Sequence, residues 1–347
     1  MIAGASPTIG GLERSTFTID LGAIRRNAEA LRRAAGRAEL WAVVKADGYG
    51  HGAVDVARAA VAGGASALAV ATLEEALPLR DAFPEARVLV MGPVDHVAAA
   101  RAAHLELVAT DGRVHEGVAT HLKLDTGMGR WGLSELPSPT RDVVGVMSHL
   151  ASAESDPDFT RLQIERFREA TDGLGLPRHV ANSAGTFGYP EAHFDAVRCG
   201  IALYGISPSG GDPAEHGLEP ALRWESYVAL VKRLEPGESA GYGRRFVASE
   251  PTWIGIVPIG YADGFRRDLS GTEVVVGGER LRVIGTVSMD ALAVELAEGL
   301  PAGAGVTLVG DGVRIEEHAA VAGTIGYEIA TGLVTASGRA RRVVLDG

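Results

Sequence analysis

Lysine is almost absent from this chain: Lys45, Lys123 and Lys232 stand against thirty arginines. Two of the three fall in the densest polar motifs, Lys45 in AVVKADGYGHG and Lys123 in HLKLDTGMGRWG. Where arginine serves for plain positive charge, an amine kept at such places points to chemistry that a guanidinium cannot do. A lysine amine can lose its proton and condense with a carbonyl; a guanidinium stays protonated. A phenol, Tyr49, follows the first amine one helical turn on. Further polar groups, His149, Asn182 with Ser183, and Arg198, each stand at or just after a short apolar run. That is the pattern of strands delivering side chains to a shared rim.

The elements that must position these residues alternate. Asp20 can cap a helix whose apolar stripe runs Ile24, Ala28, Leu31, Ala35 before Gly36. Eight apolar runs then read as buried strands: Leu40–Val44, Ala67–Ala71, Arg87–Met91, Leu105–Ala109, His121–Leu124, Val143–Ser148, His179–Asn182 and Ala196–Cys199. Helical signals join most of them, including Ala53 to Ala62, an alanine-rich stretch near Val97 to Ala103, and a capping box at Thr72 and Glu75. Parallel strands need such crossovers, and eight of them close a TIM-type (β/α)8 barrel. The connections after the fourth and fifth strands are too short or too proline-rich (LSELPSPTRD) for long helices, so the flank around 107–142 is trimmed. After residue 218 the texture changes to short strands between Gly-rich turns: Val228–Val231, Trp253–Pro258, Glu273–Val276, Leu281–Ile284, Ala293–Leu296 and Val306–Val309, with a hairpin at Gly277-Gly278. The expected fold is thus a barrel over 15–218 followed by a mostly-β C-terminal domain over 219–347.

A TIM barrel does its chemistry at the C-terminal ends of its strands. Lys45 closes the first strand here, Lys123 the fifth, His149 the sixth, Asn182-Ser183 the seventh and Arg198 the eighth. Ser183, the amides around Gly200 and Ile201, and the Tyr49 phenol suit a phosphate beside the last strand. A phosphorylated aldehyde held by a lysine is pyridoxal 5'-phosphate.

Composition narrows the partners. A net charge of −11 without a basic run argues against nucleic acid or an anionic membrane surface. The single Cys199 excludes an intrachain disulfide and reads as a small buried hydrophobe. The start of the sequence lacks a signal-peptide pattern, and no apolar run is long enough to span a bilayer, so a cytoplasmic enzyme is expected. No His/Cys/Asp spacing suits a metal. Asp47 is expected to cap a turn and His51 to be a structural hydrogen-bonder.

The chain resembles alanine racemase, a fold-type III pyridoxal-phosphate family. The carrying motifs are IDLGAIRRN, AVVKADGYGHG, HLKLDTGMGRWG, MSHLASAESD, ANSAGT, VRCGIALYGISPS, AGYGRRF, VPIGYADG, VSMD and GTIGYE, in family order and over nearly all of the chain after residue 15. The resemblance implies that Lys45 binds the cofactor aldehyde and is one base, and that Tyr242 is the other, supplied by the second subunit of a homodimer. It implies that His149 and Arg198 face the cofactor ring, with Arg198 at the pyridine nitrogen. Tyr49, Asn182, Ser183, Gly200, Ile201 and Tyr327 belong to the cofactor site, most of them at the phosphate. Arg130 would bind the substrate carboxylate, Met289 would contribute backbone near the substrate, and Tyr261 with Tyr327 would narrow the entrance. Lys123 is a candidate carbamate that holds Arg130. The implied activity interconverts L- and D-alanine and supplies D-alanine for peptidoglycan. A racemase for serine or another amino acid, a fold-type III decarboxylase and a barrel that merely carries the cofactor or another phosphorylated metabolite are the competing readings. Arg198, where a decarboxylase would place a carboxylate, and the added domain carrying Tyr242 both favour the racemase.

Overall fold

The computed structural model describes residues 13–296, 299–335 and 338–346. The chain forms two compact units, Leu21–Glu219, and Pro220–Asp346 together with residues 13–20.

The first unit is a closed parallel barrel of eight strands: Glu39–Val43, Ala65–Val70, Arg87–Val90, Glu106–Ala109, Thr120–Lys123, Val143–Met147, Arg178–His179 and Ala196–Cys199. The last closes on the first with Leu40 opposite Val197. Each strand overlaps an apolar run in the sequence. The seventh is shorter than expected, because Asn182 leaves the ladder and caps the Ser183–Gly188 helix, its Oδ1 accepting from Gly185 N at 2.8 Å. The Leu21–Ala35 helix buries Ile24, Ala28, Leu31 and Ala35. It packs so closely on the C-terminal end of the Ala53–Ala62 helix that a Cβ on Gly63 would lie 2.6 Å from that of Ala28. Thr72 and Glu75 do form the capping box of the Leu73–Ala82 helix. Neither the connection between Ala109 and Thr120 nor that between Lys123 and Val143 contains a helix, which is the trimmed flank.

The second unit is built on one sheet of nine strands in the order Leu230–Leu234, Thr252–Val257, Leu292–Glu295, Glu279–Ile284, Glu273–Val276, Gly305–Val309, Leu222–Tyr227, Thr16–Asp20, Arg341–Leu345. Two expectations are corrected here. Residues 15–20 belong to this unit and not to the barrel: Thr16–Asp20 pairs with Leu222–Tyr227 and Arg341–Leu345. Its alternate residues Phe17 and Ile19 are fully buried, and Phe17 stacks on Trp224 at 5.0 Å. The single strand expected over Val228–Val231 is a junction between two strands. The chain changes partner there, from Gly305 opposite Tyr227 to Ile256 opposite Leu230. The hairpin at Gly277-Gly278 is present, with both glycines at positive φ, 60° and 95°. Among the described residues no helix is long and apolar enough to cross a membrane.

Candidate active site

The first barrel strand ends in a backbone conformation that the motif around Lys45 does not announce. Ala46, Asp47, Gly48 and Tyr49 all have positive φ, 52°, 49°, 60° and 52°. Tyr49 therefore follows Lys45 by a left-handed turn, where an ordinary helical turn was expected. Each non-glycine residue there costs roughly 1–2 kcal/mol, so surrounding contacts must hold the turn. Glu75 accepts from Ala46 N at 2.7 Å through Oε1, and its Oε2 accepts from Ala71 N at 2.8 Å. Asp47 accepts from Ala53 N at 2.9 Å, the turn-capping role expected of it. His51 Nδ1 meets Tyr49 O at 2.9 Å. The result turns the Tyr49 ring inward, buried, 4.8 Å from the ring of Tyr204. Tyr204 in turn donates to Val43 O at 3.0 Å.

Tyr49 lands against Gly200. A Cβ at Gly200 would meet the Tyr49 hydroxyl at 2.5 Å, so only glycine admits this approach. Gly200 N and Ala202 N both point at Ser183 Oγ, at 3.2 and 3.4 Å. Ile201 opens the 3-10 turn Ile201–Tyr204 beside them. A phenol, a serine hydroxyl and the amides of a tight turn are thereby assembled in one place, a donor set that fits a phosphate. Asn182 lies next to this group, but its side-chain oxygen is engaged as the helix cap.

Arg198 is 3% exposed on the eighth strand. Its Nη1 donates to His179 Nδ1 at 2.7 Å and to His179 O at 2.8 Å. Nη2 donates to Ser148 O at 2.8 Å and lies 3.3 Å from His149 Nδ1. No carboxylate pairs with it among the described residues, and its Nε makes no hydrogen bond there. Burial brings its pKa down to about 10, so it remains charged at neutral pH. His149 is held well below the usual histidine range by burial and then by Arg198, Lys123, Arg130 and Lys45, so it is neutral. Lys45 is pushed down by burial first and by Arg130 next, against the opposing pull of Glu75. Burial, Arg198 and Arg130 bring Lys123 to about 8. Arg130 ends a loop whose amides at Gly127, Met128 and Gly129 all donate to Asp125 Oδ1, at 2.9, 2.8 and 3.2 Å. Both Lys123 and Arg130 lie over the Trp131 ring, at 5.9 and 5.7 Å. A chain of net charge −11 thus concentrates positive groups at one barrel rim, where a phosphate and a carboxylate would each find partners.

The remaining candidates are in the second unit. Tyr242, Met289 and Tyr261 are 71%, 52% and 43% exposed. Tyr261 and Met289 are brought together by backbone bonds, Tyr261 N to Ser288 O at 3.0 Å and Ala262 N to Met289 O at 3.0 Å. Gly260 permits this, since a Cβ there would stand 2.2 Å from Ser288 O. Tyr242 sits on a tight turn whose carbonyl accepts from Thr286 Oγ1 at 2.8 Å. Tyr327 lies on the Gly326–Gly332 helix. Among the described residues no cluster of His, Cys, Asp and Glu suits a metal, and Cys199 is fully buried with its thiol pushed up to about 12. Three contributors were not foreseen: Glu75 as the clamp on Ala46, Tyr204 as the wall behind Tyr49, and His179 as the seat of Arg198. Only the last left a trace in the sequence, a histidine inside an apolar strand.

Known proteins share this architecture. Residues 19–208 match the family model described as alanine racemase, N-terminal domain, and residues 221–344 match alanine racemase, C-terminal domain. An alanine racemase of Frankia casuarinae is 43% identical, over 91% of this chain and 93% of its own length. Alanine racemase 1 of Bacillus subtilis is 38% identical over 94% and 92%. The crystal structure of alanine racemase from D-cycloserine-producing Streptomyces lavendulae superposes with a TM-score of 0.88 at 37% identity, covering 96% of this chain and 98% of that one. A structure from Bartonella henselae, described as alanine racemase with covalently bound pyridoxal phosphate, gives 0.85 at 27% identity, covering 95% and 99%. With both of its units matched and the whole architecture shared, the chain belongs to the alanine racemase family of amino-acid isomerases.

Proposed function

We propose that the protein interconverts L-alanine and D-alanine with pyridoxal 5'-phosphate at the barrel rim, as a homodimer whose two bases are Lys45 and Tyr242 of the partner subunit. The observation that carries this reading is the cationic rim itself: a lysine of lowered pKa beside a buried arginine that, among the described residues, has no carboxylate partner and an uncommitted Nε. Tyr49, Ser183, Gly200 and Ile201 would hold the phosphate and Lys45 the aldehyde. Bound there, the cofactor would supply an electron sink for the substrate Cα. Lys45, whose amine is neutral at a lower pH than an ordinary lysine's, takes or returns the proton on one face. Tyr242 does so on the other. Arg130 pairs with the substrate carboxylate. Arg198 has only donors, so it binds a bare ring nitrogen and supplies it with no proton. A carboxylate in that place would keep the nitrogen protonated, and this difference favours racemase over decarboxylase. Met289 lends backbone near the substrate. Such an enzyme would work in the cytoplasm and supply D-alanine for peptidoglycan.

Two measurements test the reading. Exchange of the Cα proton for deuterium, followed over a panel of amino acids with chiral analysis, is expected to give the highest kcat/KM for alanine, because Tyr261 and Tyr327 in the proposed entrance role would leave room for a methyl group and exclude larger side chains. Higher values for serine or lysine would reassign the substrate. Lys123, with a pKa near 8, presents enough neutral amine to react with carbon dioxide. The resulting anion would hold Arg130. A carbamate resonance from 13C-bicarbonate is therefore expected in the wild type and absent from Lys123→Ala.

A further inference from the structure

Behind Arg198 a line of polar side chains crosses the barrel core. Glu106 Oε2 meets His121 Nε2 at 2.8 Å. His121 Nδ1 meets His179 Nε2 at 2.9 Å, and His179 Nδ1 meets Arg198 Nη1 at 2.7 Å. Both histidines and Arg198 are buried, and only the Glu106 end is near solvent, with its side chain 15% exposed. The rings are seated by packing. Trp41 lies 4.4 Å from the His179 ring and meets His121 edge-on at 5.6 Å. Gly145, on the neighbouring strand, leaves the needed room: a Cβ there would stand 2.4 Å from His121 Nδ1.

The ends of this line differ in kind. A guanidinium can only donate and a carboxylate can only accept, while a neutral imidazole does one of each. With Arg198 donating into His179 Nδ1, His179 must carry its proton on Nε2 and donate to His121 Nδ1. His121 must then carry its own on Nε2 and donate to Glu106. One proton arrangement satisfies all three links. A second proton on either ring would set two donors face to face at one of them. The surroundings agree: burial and Arg198 hold His179 well below the usual histidine range. Burial alone would raise Glu106, but its hydrogen bonds from His121 and Arg87 hold it down to about 2, so the accepting end stays ionised.

We propose that Glu106 and His121 are positioning residues for the racemase reaction: acting through His179, they fix the orientation of Arg198 so that its Nε–H is left for the cofactor's ring nitrogen. The arrangement also keeps the nearest carboxylate on this line two imidazoles away from Arg198. A carboxylate in direct contact would compete for Nε. This inference rests on the reading of Arg198 given above, and its first test does not depend on that reading.

The test is 15N-histidine NMR of the full-length enzyme purified with its cofactor, alongside steady-state racemisation. In the wild type, His121 and His179 are both expected to be protonated on Nε2 and bare on Nδ1. Glu106→Gln keeps an acceptor carbonyl and should preserve both tautomers, with kcat within about twofold of wild type. Glu106→Leu removes the acceptor, so both rings should lose their fixed tautomer. The kcat should then fall roughly tenfold, the scale of a small misplacement of a reacting group, with the KM for alanine unchanged. His121→Phe cuts the line one link nearer to Arg198 and should show the same kinetic split and the same change at His179, so the test stands even if Glu106→Leu does not fold. A wild-type His179 protonated on Nδ1 overturns the proposal. So do unchanged tautomers in Glu106→Leu, or altered tautomers with an unchanged kcat. A wild type that does not racemise but shows the expected tautomers would sink the functional reading and leave the hydrogen-bonded line intact.

Discussion

Exchanging Lys45 for alanine is expected to lower racemisation roughly 10⁴-fold, the upper range for loss of a positioned general base. Lys45→Arg should be as inactive, although it keeps a positive charge, because a guanidinium neither gives up its proton near neutral pH nor condenses with an aldehyde. Borohydride treatment of the cofactor-loaded wild type should fix a pyridoxyl group on the peptide containing Lys45, and on neither Lys123 nor Lys232. Both variants should lose that label. Label on another lysine in the wild type would reassign the site. The pH profile carries a further sign. Lys45 must be neutral to accept a proton, and its pKa lies below the ordinary lysine value through burial, Arg130 and Arg198, with Glu75 opposing. The rate should fall as pH drops through that lowered value, so activity extends to lower pH than an unperturbed lysine would allow. Removing the positive charge of Arg130 should raise the Lys45 pKa and move the acid limb upward.

The barrel was legible because its strands are buried on both faces and so appear as unbroken apolar runs. Lys45, Lys123 and Arg198 stood out because polar groups at the ends of such runs have few structural reasons to be there. What stayed hidden was set by tertiary context. The left-handed turn over Ala46–Tyr49 contradicts the preferences of Ala46 and Tyr49 and exists because Glu75 and Asp47 hold it. Thr16–Asp20 has the alternation of a strand, yet its partners are some two hundred and three hundred residues away, and no local signal assigns it to the distant sheet. The Val228–Ala229 junction fails for the opposite reason. The apolar pattern runs straight through a place where the backbone changes partner. The histidines of the barrel core were readable as anomalies, one in HLK and one in RHV, but their connection to Arg198 appears only once the barrel closes.

Tyr242→Phe is expected to abolish racemisation in both directions, by roughly 10³- to 10⁴-fold, because a base that removes the proton one way must deliver it the other way. The turn that carries Tyr242 suits a residue offered outward. Gly241 and Gly243 have φ of 74° and 71°, and Gly241 lies so close to Thr286 that a Cβ would stand 2.9 Å from its nitrogen. Thr286 also binds the Tyr242 carbonyl, so the phenol is 71% exposed on a braced support. Exposed Tyr242, Tyr261 and Met289 on one unit have the composition of an interface core more than of a solvated surface. In the proposed two-fold dimer each Tyr242 would serve the lysine of the other subunit, and defects could complement. Purified Lys45→Ala and Tyr242→Phe proteins should each be inactive alone. Mixed in equal amounts and allowed to exchange fully, half of the dimers are heterodimers, and one of the two sites in each has both bases. Activity should therefore recover to roughly a quarter of wild type. Each single mutant mixed with itself should recover nothing. Absence of recovery despite demonstrated subunit exchange would place both bases on one chain.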